Sequence, residues 1–178
     1  FGAQSGFVNA ILRGYARDPF GIHGVRHWGR VLEIGRRLQP LTGARADVVE
    51  LFSVLHDACR HNEHHDPRHG SRGALLAAAL CGRAFELDAP GLALLQEACA
   101  RHTDGACDAD VTVRTCWDSD RLDLARAGIR PSPARLCTQA AREPELIAWA
   151  TGRSQRDETP DVVWREWGLS DSRILGTW

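Results

Sequence analysis

The chain has 178 residues, 43% of them hydrophobic and 25% charged, a length that suits one domain and a composition that supplies a real core. Its 22 basic and 23 acidic residues leave a formal net charge of −1, so electrostatics give no reason to expect a nucleic-acid or membrane surface. Every basic residue is Arg, which excludes Schiff-base and Walker-type lysine chemistry and leaves any phosphate clamp to guanidinium groups.

The apolar positions predict a short helix over 5–16, with Phe7, Val8, Ile11 and Leu12 on one side, broken by Asp18-Pro19 and Gly21. A second helix runs from His23 to Leu38, and Pro40 and Gly43 are expected to end it. Residues 45–59 form the most apolar helix, closing on Leu55-His56-Asp57. A polar, His-rich loop covers 60–68, after which His69 opens a helix over Ala74–Phe85. Pro90–Arg101 follows, ended by His102-Thr103-Asp104-Gly105, where Gly105 permits a left-handed turn. Val111–Ala127 is a further helix stopped by Gly128 and Pro131, and 133–150 one more, interrupted or restarted at Pro144. Beyond Thr151 the chain is polar and then carries Trp164, Trp167 and Trp178, a tail expected to pack back on the core.

No long β-branched alternation appears, so the expected fold is all-α, a bundle of about six to eight helices over 1–178, with a core at about 20–128 and a helical extension at 129–178. The six cysteines, at 59, 81, 99, 107, 116 and 137, form no C-x-x-C pair, and several sit in apolar helical patterns as small reduced hydrophobes. No secretory leader or long apolar run is visible, so we expect a cytoplasmic protein.

Across these elements lie His27, His56, Asp57, His69, His102 and Asp120. Imidazole nitrogen and carboxylate oxygen suit a hard or borderline divalent ion, and ligands on separate helices can converge in a bundle core. The adjacent pair His56-Asp57 diverges by about 100° on a helix, so Asp57, with two oxygens, is the natural bridge between two ions. His23, one turn before His27, is an alternative ligand. Asp118, Asp120 and Asp123 do not all share one face, so one or two of them can point at the site.

This order resembles the HD-domain superfamily of metal-dependent phosphohydrolases. The resemblance rests on His27 in H-x-x-R-V, the His56-Asp57 doublet and Asp120 in D-x-D-[KR]-L-D, and it spans roughly 20–128. His69 in HGSRGA and His102 in HTDG add the pair seen in dinuclear members, and the H-T-x-G element looks like bacterial HD-type diadenosine tetraphosphate hydrolases. The resemblance implies His27, His56, Asp57 and Asp120 on one ion and Asp57, His69 and His102 on the other. It implies two divalent metal ions, Fe or Mn, with Mg, Co, Ni or Zn as alternatives. Arg121 stands where the family often has Lys, and the Gly-Tyr-Pro signature of the cyclic-di-GMP branch is absent.

The expected function is therefore hydrolysis of a phosphate ester or anhydride, with a small phosphate-containing molecule, a nucleotide by analogy, as substrate. Asp57 is the expected catalytic bridge, Arg60 and Arg121 candidate phosphate contacts, and His65, with His61 and His64 beside it, a candidate proton donor. Two other classes share the six positions: an HD-type mixed-valent diiron oxygenase and a non-catalytic nucleotide-binding module.

Overall fold

The computed structural model describes residues 5–169; Trp178 lies outside the described residues. Eight α-helices make up the described chain: α1 (Ser5–Arg13), α2 (Val25–Thr42), α3 (Ala46–Leu55), α4 (His69–Leu80), α5 (Ala89–Arg101), α6 (Val111–Arg121), α7 (Pro144–Gln155) and α8 (Asp161–Arg165). Short 3-10 turns stand at Leu124–Ala127, Pro133–Arg135 and Ala140–Arg142. The only β feature among the described residues is an isolated bridge between Cys81 and Phe85, so the expected all-α class is correct.

Local chemistry sets the helix ends. Asp88 caps α5 by accepting from Gly91 N–H at 2.9 Å, and Asp110 caps α6 by accepting from Thr112 N–H at 2.7 Å. Pro144 occupies the first position of α7, where its missing N–H costs nothing. The second helix continues past Leu38, with Pro40 inside its last turn and the end set by Gly43, whose φ of 74° is left-handed and whose N–H bonds Gln39 O. The fully buried Ile34 and Leu38 hold that turn helical despite the proline. The expected helix over 74–85 begins five residues earlier, at His69, and ends at Leu80. Residues 133–143 hold two 3-10 turns rather than a continuous helix, because Cys137 N–H, Thr138 N–H and Thr138 Oγ1 between them are bonded to Asp118 of α6.

The long α2 packs on α3 and α6, α4 packs on α5, and α3 touches both α5 and α6. Phe52, Leu55, Leu95, Ala98, Cys99 and Trp117 fill the space between them. Each buried Leu or Phe contributes roughly 1.5–3 kcal/mol, and this surrounding core offsets the cost of the polar residues buried beside it. A smaller cluster of Ile34, Leu38, Leu122, Leu136, Ala141 and Ala150 joins the other side of α2 to α7. As far as Leu169 the tail packs back as expected: Trp167 is fully buried, α8 lies on α2, and Trp164 stays exposed. Gly73 sets how closely α4 approaches the end of α3; a Cβ there would meet Leu55 O at 2.5 Å. That contact brings His69, at the start of α4, beside His56 and Asp57.

Candidate metal centre

Six side chains from five elements meet in the middle of the bundle. His27 comes from the first turn of α2, His56 from the C-cap of α3, and Asp57 from the residue after it. His69 is the first residue of α4, His102 the C-cap of α5, and Asp120 lies in the last turn of α6. All six are buried.

The four imidazoles share one arrangement. Each Nδ1 faces an acceptor: Asp123 Oδ2 at 2.8 Å for His27, Phe52 O at 3.0 Å for His56, Asp66 O for His69, and Cys99 O at 2.7 Å for His102. A carbonyl or carboxylate only accepts, so each Nδ1 carries a proton, and each ring turns Nε2 inward toward the others. Those nitrogens nearly touch: His27 and His56 Nε2 lie 3.0 Å apart, and His69 and His102 Nε2 2.8 Å apart. Facing lone pairs repel unless a proton or a cation lies between them.

The carboxylates complete the cage. Asp57 Oδ2 is 3.7 Å from both His27 and His56 Nε2, while its Oδ1 is 3.1 Å from His69 Nε2 and 3.7 Å from His102 Nε2. One oxygen faces each histidine pair, the disposition expected of a bridge. Asp120 Oδ1 lies 3.4 Å from His27 Nε2 and 3.8 Å from His56 Nε2 and, although buried, has no hydrogen-bond partner. An orphaned buried carboxylate oxygen beside inward lone pairs fits a divalent cation. Two groups of ligand atoms are close enough to hold an ion, His27-His56-Asp57 and Asp57-His69-His102.

Burial pushes His27 well below the ordinary histidine range, with Arg126 and His56 adding to the effect. Burial likewise lowers His102, to about 4, with the neighbouring His56 adding to the effect. Both rings are thus kept neutral, the form that ligates metal. His69 is raised: burial would lower it, but the hydrogen bond to Asp57 prevails. Burial alone would raise Asp57 and Asp120, yet the neighbouring imidazoles, and Arg126 beside Asp120, hold both below the usual carboxylate range.

The surroundings sort the remaining candidates. Asp118 turns away and accepts from Cys137 N–H, Thr138 N–H and Thr138 Oγ1 at 2.7–2.8 Å. His23, the alternative ligand, pairs through Nδ1 with Glu63 Oε2 at 2.6 Å. Arg60 reaches the second group: its Nη1 lies 3.1 Å from His69 Nε2 and 3.3 Å from Asp57 Oδ1. Arg121 donates to Gly105 O at 2.6 Å and Arg135 O at 2.9 Å, a strut between two loops. His65 stays in the exposed loop, at the edge of the cavity. That cavity has a volume of about 640 Å³, opens onto Asp57, His69, His102 and Asp120, and is walled by His23, Arg60 and Arg126.

Three features were not read from the sequence. Asp123, fully buried, accepts from His27 Nδ1 and from Arg30 Nε, both at 2.8 Å, and so orients the first ligand. Arg126 is anchored by Ile22 O and Asp123 O, leaving Nη2 3.7 Å from Asp120 Oδ1. Cys107 and Cys137, for which no pairing was expected, are joined in a disulfide. The D-x-D-R-L-D run carried the signal for Asp123; the other two pairings join residues whose separation in the chain has no recognisable pattern.

No protein-family model, curated protein or solved structure matches this chain. Among the described residues no helix is long and apolar enough to cross a membrane.

Proposed function

We propose that the chain is a metal-dependent phosphohydrolase of the HD type, cytoplasmic, acting on a small phosphate ester or anhydride, with a nucleotide as the first candidate. The observation that carries this reading is the set of inward-facing Nε2 atoms of His27, His56, His69 and His102 around Asp57 and Asp120. His27, His56, Asp57 and Asp120 would hold one divalent ion, and Asp57, His69 and His102 a second. When bound, such ions make a water nucleophilic near neutral pH and draw charge from phosphoryl oxygens.

The chain's own residues do the rest. Arg126, fixed by two backbone carbonyls, presents its free nitrogen to the cavity as a pre-positioned donor for a phosphoryl oxygen. Arg60, held by Asn62 O and His64 O, presents Nη1 at the opposite group as a donor for a second oxygen of the same phosphate. His23, steadied by Glu63 and lining the cavity, is better placed than His65 to hand a proton to the leaving oxygen.

The test is phosphate release from a panel of nucleotides by protein supplied in turn with Mn²⁺, Co²⁺ and Fe²⁺. Release that disappears in Arg126→Ala, with metal still bound, supports the reading. Oxygen consumption with iron and no phosphate release overturns it in favour of the diiron oxygenase. Nucleotide binding without turnover under every metal overturns it in favour of a binding module.

A further inference from the structure

Two loops contribute to the lining of the cavity. The first follows His102, between α5 and α6, and contributes Thr103 and Asp104; the second contributes Ser132, Arg135 and Leu136. Cys107 on the first is bonded to Cys137 on the second. The two sides are held unequally. Cys137 and Thr138 are fixed to α6 by three hydrogen bonds to the buried Asp118. The first loop is largely exposed, and Arg121 donating to Gly105 O is its non-covalent tie across to the second loop's side.

The sulfurs are unequal too. Cys107 is partly exposed, whereas Cys137 is buried at 7% exposure. The Arg121 guanidinium lies 3.1 Å from Cys137 Sγ and 3.8 Å from Cys107 Sγ. A nucleophile from solvent reaches Cys107, and a negative charge left on Cys137 is met by a cation.

We propose that Cys107–Cys137 is an exchangeable redox site for small thiols, and that its opening loosens the His102 loop and weakens the ligand group formed by Asp57, His69 and His102. In the first step a thiolate attacks Cys107 Sγ, the Sγ–Sγ bond breaks, and its electron pair leaves on Cys137 Sγ beside Arg121. A second thiol then attacks the mixed disulfide and releases Cys107. The protein disulfide is reduced to two thiols while two molecules of the small thiol are oxidised to their disulfide. The effect on the ligand group rests on the metal-centre reading; the exchange chemistry does not.

The experiment uses the full chain with glutathione as the probe. Acid-trapped mixed disulfide, located by mass spectrometry, is expected on Cys107. Amide exchange should rise at 103–110 on full reduction and stay slow at 136–139. Reduction, or the double variant C107S/C137S, should weaken the weaker Mn²⁺ site by about tenfold, the scale of a lost supporting contact to a ligand. Both cysteines alkylated without prior reduction, an adduct confined to Cys137, or exchange at 103–110 unchanged by reduction would each overturn the proposal. Absence of Mn²⁺ binding in both redox forms would overturn the metal-centre reading instead, and amide exchange would still decide the loop's release.

Discussion

Asp123→Asn tests whether a carboxylate outside the ligand set governs the centre. The native side chain accepts two charge-assisted bonds, His27 Nδ1–H on Oδ2 and Arg30 Nε–H on Oδ1, each at 2.8 Å and both fully buried. Asparagine keeps the volume but has one acceptor oxygen, so its amide must face one of the two donors. Arg30 keeps other partners through Nη1, Asp157 Oδ1 at 3.0 Å and Glu158 O at 2.9 Å. His27 Nδ1 has Asp123 alone, so the loss falls on His27, whose ring is free to turn or change tautomer. The expected outcome is a 10–100-fold loss of Mn²⁺ affinity, about 1.4–2.8 kcal/mol. The metal-free protein should lose about 1.5–3 kcal/mol of unfolding free energy, the value of a hydrogen bond to a charged group. Isothermal titration with Mn²⁺ and urea unfolding in chelator measure the two. A variant that folds as the wild type does and binds Mn²⁺ within twofold of it would refute this reasoning.

Other consequences are as direct. In the metal-free protein, stability should fall as pH falls from the ordinary histidine value of 6.5 toward about 4, because unfolded His27 and His102 take up protons that the folded rings refuse. His102 alone accounts for about 2 kcal/mol between pH 7.5 and 5; the raised His69 stabilises below its own titration and offsets part of this. A urea midpoint in chelator at pH 5 equal to or above that at pH 7.5 would contradict the burial argument. Gly73→Ala should cost about 1–3 kcal/mol by overpacking and should weaken Mn²⁺ binding by displacing His69, as unfolding and titration together would report. Arg60→Gln removes a cation 3.1 Å from His69 Nε2; Mn²⁺ should bind tighter by up to about tenfold, 1.4 kcal/mol, while inorganic phosphate, titrated into the Mn²⁺-loaded protein, binds more weakly.

Much of the centre was visible in the sequence because its ligands sit at element ends that carry their own signals. His56-Asp57 closes an apolar run, His69 follows a Pro-containing loop, and His102 precedes Thr-Asp-Gly. Helical periodicity gave α5 to within a residue and the apolar faces of α2 and α3, although α3 ends at Leu55 rather than at 59. The misreadings have physical causes. Pro40 looked like a terminator, but the buried face of α2 keeps it helical for one more turn. Residues 133–143 looked helical, but their packing is set by Asp118 reaching across from α6, a contact no local pattern encodes. Arg121 matched a motif position and lines the cavity, where the Gly105 and Arg135 carbonyls hold it as a brace between two loops. Arg126 takes up the position near Asp120 only because the chain after α6 turns back through Leu124–Ala127 onto Ile22.

Both ligand groups depend on Asp57, whose two oxygens each face a histidine pair. Elemental analysis of untagged protein purified without chelator, beside the Asp57→Ala variant in the same folded state, tests it. The wild type is expected to carry about two divalent ions per chain and the variant none. Equal metal content in the two proteins, or a wild type that binds no divalent ion when supplied with Mn²⁺ or Fe²⁺, would contradict the metal-centre reading.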